Sequence, residues 1–232
     1  GTAISTLSVV VIYSVMSSME DSIKKAVLST DGNTIIRLKN TDKRDYENDI
    51  KYIQEYLDHT GVENQRMISR PSILSFNGQT FFVTVVGLEN LSYIKKTFSL
   101  SVDEEDFREG ILIGEELSRK LGSPKMGDSL LVLSPLDSRL FINGKSFKCI
   151  EQRISFDNPN SIKNISGEYV YIDYNAAKSI FSFAYPYISI NSEVSSKKIE
   201  HIKNKVLDIS ISDWKDENPL FFNAIKIEKT LY

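Results

Sequence analysis

With 232 residues, 41% of them hydrophobic and 25% charged, the chain is long enough to bury a real core and has the make-up of an ordinary globular domain. Its net charge of -3 gives no bulk attraction for nucleic acid or anionic lipid. A single cysteine, Cys149, excludes an intramolecular disulfide and a thiolate metal cluster, and beside Ile150 it reads as a small buried hydrophobe.

The chain opens on an uncharged run from Ala3 to Met16, shorter than the roughly twenty residues of a bilayer span. The run continues as an amphipathic helix through Leu28, with Ile12, Val15, Met16, Met19, Ile23 and Val27 on one stripe. At about 1.5 Å per residue such a helix is roughly 39 Å long, so it is expected to leave a membrane unbroken as a stalk. The start carries no signal-peptide pattern and reads as a boundary inside a membrane helix.

Asp31-Gly32-Asn33 supplies a turn, Thr34 to Leu38 a strand, and Asp42 to His59 a helix closed by Gly61. Met67 to Phe76 reads as a strand that Pro71 interrupts or confines to an edge. Asn77-Gly78 is a hairpin turn into Thr80 to Val86. From about residue 93 the texture changes to short strands, glycine turns and an acidic segment, Asp103 to Asp106, that reads as a solvated loop. Strands are expected at 130–133, 147–150 and 169–172, with a hairpin turn at Asn143-Gly144. A helix over 173–181, a strand over 187–190, a helix opening at Ser195 and a strand over 209–211 follow. Pro219 sits in the first turn of a last helix that turns apolar towards Tyr232, with Trp214 before it as a candidate for burial. The strand–helix–strand series of 34–86 has a distant echo in 187–213.

Motifs for catalysis are lacking. His59 and His201 have no Cys, Asp or Glu at metal-ligand spacing. Asn143-Gly144-Lys145-Ser146 ends like a phosphate loop but carries Arg139 where the upstream glycine would stand. There is no Gly-x-Ser-x-Gly elbow. The sequence therefore predicts a non-enzyme with no catalytic residues, no metal and no cofactor.

Several segments, in order, resemble one family. Ser14-Val15-Met16 with its amphipathic continuation is similar to the exit of the first membrane helix in the LolC/LolE permeases of the lipoprotein-releasing ABC transporter. Val85-Val86-Gly87-Leu88-Glu89 resembles that family's Gly-Ile-Asp element. Ile111 to Gly122, with Gly114-Glu115 and Leu121-Gly122, matches its strand, Gly-Glu, helix, Leu-Gly element, and Gly127-Asp128 its turn into the next strand. Asp213-Trp214 through Ile227-Glu228-Lys229 is similar to the entry of the second membrane helix. The central motifs are shared with the wider MacB and FtsX superfamily.

The resemblance implies an α+β, MacB-like periplasmic domain between membrane helices 1 and 2. Residues 1–28 would be the end of the first membrane helix and its stalk. Residues 29–92 and 168–232 would form an α+β porter-like layer, with both chain ends on one side, and 93–167 an inserted β-rich lobe. The implied function is extraction of lipoproteins from the bacterial inner membrane, driven by a cytoplasmic ATPase subunit, with delivery to a periplasmic carrier. A second permease subunit, in a homo- or heterodimer, would complete the complex, and no nucleic acid is involved.

Val9, Ile12, Val15, Met16 and Met19 are the candidates for the lipid or lipoprotein surface, where unbranched methionine suits an acyl chain; the competing reading is packing against other membrane helices. Arg139, Leu140 and Phe141 are the carrier-binding candidates, in the place of the family's extended hairpin loop. That loop is shorter here than the family's long version, which tilts the resemblance towards a LolE-like role. The alternatives are a MacB-like mechanotransmission exporter subunit and an FtsX-like module regulating a cell-wall hydrolase.

Overall fold

A computed structural model describes residues 34–39, 43–92, 95, 102–134, 143–154, 169–181, 185–192, 194–213 and 216. The expected stalk helix, Trp214 and the expected last helix lie outside these residues.

The elements in chain order are β1 (Thr34–Leu38), α1 (Lys43–His59), β2 (Asn64–Phe76), β3 (Gln79–Leu88), α2 (Glu104–Glu109), β4 (Gly110–Gly114), α3 (Glu115–Lys120), β5 (Ser129–Ser134), β6 (Asn143–Ile154), β7 (Tyr169–Asp173), α4 (Tyr174–Ile180), β8 (Tyr187–Ile190), α5 (Ser196–Lys205) and β9 (Ile209–Asp213). The fold is α+β, as expected. All nine strands among the described residues belong to one hydrogen-bonded sheet, which does two jobs.

At one end the strand order is β2-β8-β1-β9, all antiparallel. Two helices join strands that lie one strand apart, α1 between β1 and β2 and α5 between β8 and β9. This is the split β-α-β arrangement, two interleaved strand–helix–strand units with both helices on one face. Ile50, Ile53 and Leu57 of α1 and Ile202 of α5 bury against Ile36, Leu38, Ile188 and Ile190. The apolar spacing of α1 therefore produces a single buried face, and β8–α5–β9 repeats the strand–helix–strand order of β1–α1–β2.

Beyond β8 the sheet closes on itself. β2 pairs with β3, then β7, β4, β6 and β5 follow, and β5 returns to β2. The result is a six-stranded barrel filled by Leu74, Val83, Val85, Ile111, Leu130, Val132, Phe147 and Val170, with α4 adding Ala177 and Ile180. Gly87 makes that close approach possible, because a Cβ there would collide with the Ala177 Cβ.

The barrel takes in more of the chain than residues 93–167. β3, β7 and most of β2, expected in the layer, form barrel staves because their second edges pair with β7, β4 and β5. β2 is uninterrupted and starts earlier than expected. It pairs with β8 through Met67 and with β5 from Ile73, so Ile68 to Ser72 has a ladder partner on the β3 side alone. Pro71, which has no N–H to offer a second neighbour, falls in that stretch.

Two local expectations are corrected. The acidic segment is solvated but is not a loop: Glu104, Glu105 and Asp106 form the first turn of α2, whose Phe107 buries below them. Negative charge in a first turn suits a helix N-terminus. Asn143-Gly144 is not a turn but the start of β6, paired with Leu133 and Ser134. The Asn77-Gly78 turn is confirmed, both residues having positive φ (49° and 79°).

Candidate functional site: the junction hub and the barrel face

Every residue chosen from the sequence as a site candidate, Val9, Ile12, Val15, Met16 and Met19 on one hand and Arg139, Leu140 and Phe141 on the other, lies outside the described residues. Thr34, where the described chain enters the sheet, and Asp213 at the end of β9 are cross-strand partners. β5 and β6 are antiparallel neighbours with Ser134 opposite Asn143, so residues 135–142 join the two strands at that root.

The outer face of the barrel beside that root is uncharged across two rows. Phe82, Ile73, Leu133 and Gly144 are in register across β3, β2, β5 and β6, and Thr80, Ser75, Leu131 and Ser146 form the next row. Phe82 is 84% exposed and Leu131 38% exposed. A Cβ on Gly144 would run into the Leu133 side chain, so glycine leaves room for that leucine on the barrel exterior. The two rows thus hold two exposed large hydrophobics, Phe82 and Leu131, among serine, threonine and glycine.

A second cluster occupies the junction of layer and barrel. The Glu89 carboxylate accepts from Arg66 Nε at 3.1 Å, forms an ion pair with Arg66 Nη2, and accepts from Gln54 Nε2 of α1 at 2.8 Å. The Arg66 guanidinium lies over the Tyr174 ring of α4, 5.2 Å from its centroid. Lys178 of α4 meets Glu47 of α1 at 2.7 Å, and the Tyr46 hydroxyl donates to the Pro186 carbonyl. Burial alone would push Glu89 up, but the bonds from Arg66 and Gln54 outweigh it and hold the carboxyl below its usual range. Burial pushes the phenols of Tyr46 and Tyr174 up.

Sequence reasoning passed over Arg66, although the signal was present. A two-residue turn fixes register, and Arg66 and Glu89 stand eleven residues to either side of Asn77-Gly78. The Gly-Leu-Glu element thus has a physical account: Gly87 admits α4, Leu88 fills the core and Glu89 takes the arginine. Cys149 is buried, and burial pushes its thiol up to about 11, as a structural cysteine requires. His201 serves in packing, its ring stacked on Tyr56 at 4.5 Å and 3.3 Å from the Tyr52 hydroxyl.

The first described strand and the last are cross-strand neighbours in the layer, and the barrel is inserted between them in the chain. The chain belongs to the MacB-like periplasmic core domain family, which it matches over residues 1–202. It is 24% identical over 242 aligned residues to the lipoprotein-releasing system transmembrane protein LolC of Buchnera aphidicola subsp. Acyrthosiphon pisum (strain APS), covering 99% of this chain and 58% of that protein. The chain thus spans a little over half the length of that relative. The extracellular domain of the ABC-type transporter YknZ from Gram-positive bacteria is a structural neighbour, with a TM-score of 0.47, 13% identity, and coverage of 78% of this chain and 100% of that one. Among the described residues, no helix is long and apolar enough to cross a membrane.

Proposed function

We propose that this chain is the extracytoplasmic part of an inner-membrane permease subunit that extracts lipoproteins and passes them to a periplasmic carrier. The observation that carries this reading is the similarity to a lipoprotein-releasing permease along 99% of the chain. The pairing of Thr34 with Asp213 supports it, because the first described strand begins and the last ends at the same end of the sheet, as a domain looped out of one membrane requires. The domain itself is non-catalytic. ATP is hydrolysed by a cytoplasmic partner subunit, and a second permease subunit, identical or homologous, completes the membrane cavity.

In this reading Val9, Ile12, Val15, Met16 and Met19 face the acyl chains of the cargo. Arg139, Leu140 and Phe141, on the segment joining β5 to β6, anchor the carrier, with the uncharged barrel face beside them as the flanking contact. An arginine among apolar groups is a common anchor of protein interfaces.

The test is Met16→Asp in the full-length permease, assembled with its ATPase. A charge at an apolar membrane position costs about 2.5–3.5 kcal/mol on insertion scales, so normal insertion is the necessary control. Lipoprotein release should stop, and ATP hydrolysis should continue without stimulation by lipoprotein. Undiminished release by a correctly inserted variant would remove the acyl-chain role and leave the helix as a tether. A MacB-like exporter subunit is the second reading, favoured by the family match itself; it predicts a permease that never transfers lipoprotein to a soluble carrier.

A further inference from the structure

Layer and barrel are joined in three ways that differ in kind. Backbone crosses between them along β2 and from α4 to β8. On one face of the junction an apolar core spans both parts, with Ile35, Met67 and Tyr187 of the layer against Val86, Leu88 and Tyr171 of the barrel. On the opposite face, where Arg66 shares a side with its cross-strand partner Ile188 and with α1, the contacts are polar.

These three connections constrain motion unequally. Apolar packing is non-directional and tolerates sliding. A charge-assisted, two-pronged pair fixes a geometry. The β2 backbone has ladder bonds on one edge only where the crossing occurs, from Ile68 to Ser72.

The Arg66–Glu89 pair is a cross-strand contact of β2 and the end of β3, and it holds a helix on each arm. Gln54 ties α1 of the layer to Glu89, and Tyr174 ties α4 of the barrel to Arg66. The Glu47–Lys178 pair also joins the two helices, but it is more than half exposed on both sides and adds little.

The geometry points to a clasp: the Gln54–Glu89–Arg66–Tyr174 chain sets the angle between layer and barrel, and its release lets the barrel turn about the Ile68–Ser72 stretch of β2. This is a property of the domain whatever cargo the permease carries.

The experiment uses pulsed dipolar distance measurement on the full-length permease with its ATPase, in nanodiscs. Spin labels are placed at Phe82→Cys on the barrel and Leu207→Cys on the layer, which are 84% and 81% exposed, while Cys149 is too buried to label. A second pair, Phe82→Cys with Met126→Cys, lies within the barrel. The parent protein should give one narrow distance for each pair. Glu89→Gln and Arg66→Met should each add a second, displaced population between the lobes and leave the pair within the barrel unchanged. An unchanged distance between the lobes in both variants overturns the clasp. Equal broadening of both pairs also overturns it, because that is general loosening and not rotation.

Discussion

Glu89 is half-buried and receives two donors from two different elements, so its carboxylate is ionised in the folded chain where an unfolded glutamate, with its usual value of 4.5, has begun to protonate. Its contribution to stability is therefore complete above that value and is lost as pH falls through the lower folded value. Hydrogen bonds to charged groups contribute about 1.5–3 kcal/mol, and Glu89→Gln should lower stability near neutral pH by that order. Thermal denaturation followed from about pH 6 down to pH 3 should show the variant losing less stability than the parent; parallel curves would mean that Glu89 is not ionised by this pair. Cys149 makes the opposite kind of prediction. Its buried, raised thiol should ignore a thiol reagent at neutral pH in the folded chain and react fully on unfolding. Rapid reaction of the folded chain would contradict its burial.

At the scale of elements, the barrel separates residues that the sequence does not. Phe147 and Phe82 both lie in alternating strands, yet Phe147 faces the barrel interior and Phe82 stands outside it. Phe147→Ala should cost about 3–5 kcal/mol. Phe82→Ala should stay within roughly 0.5 kcal/mol, as for surface positions generally. Equal losses, measured by denaturant unfolding, would mean that the barrel interior is misassigned. What was legible follows from short-range physics. The helix α1 and the Asn77-Gly78 turn are each encoded by neighbours in sequence, while the strand-to-helix step at Gly114-Glu115 comes from the family resemblance. The β2–β3–β7 grouping was not legible, because β3 and β7 pair in parallel from distant parts of the chain and no local signal announces it. The acidic run read as a loop because its charge was weighed without Phe107, the one residue that anchors α2. The carrier and lipid candidates rest on resemblance, and the residues that carry them lie outside the described structure.

For the whole molecule, one sheet serves as layer and barrel together, with the flanking segments entering and leaving at neighbouring strands. In the proposed reading, with the layer on the membrane side, a barrel held by a directional clasp is an arrangement that can pass movement of the membrane helices to the barrel. The measurement closest to the central claim is photocrosslinking from residue 16 of the full-length permease, with lipoprotein present and ATP withheld. The account predicts an adduct to the lipoprotein, lost once ATP and a soluble carrier are supplied. Adducts to neighbouring permease helices alone, with the same permease competent for release, would contradict it.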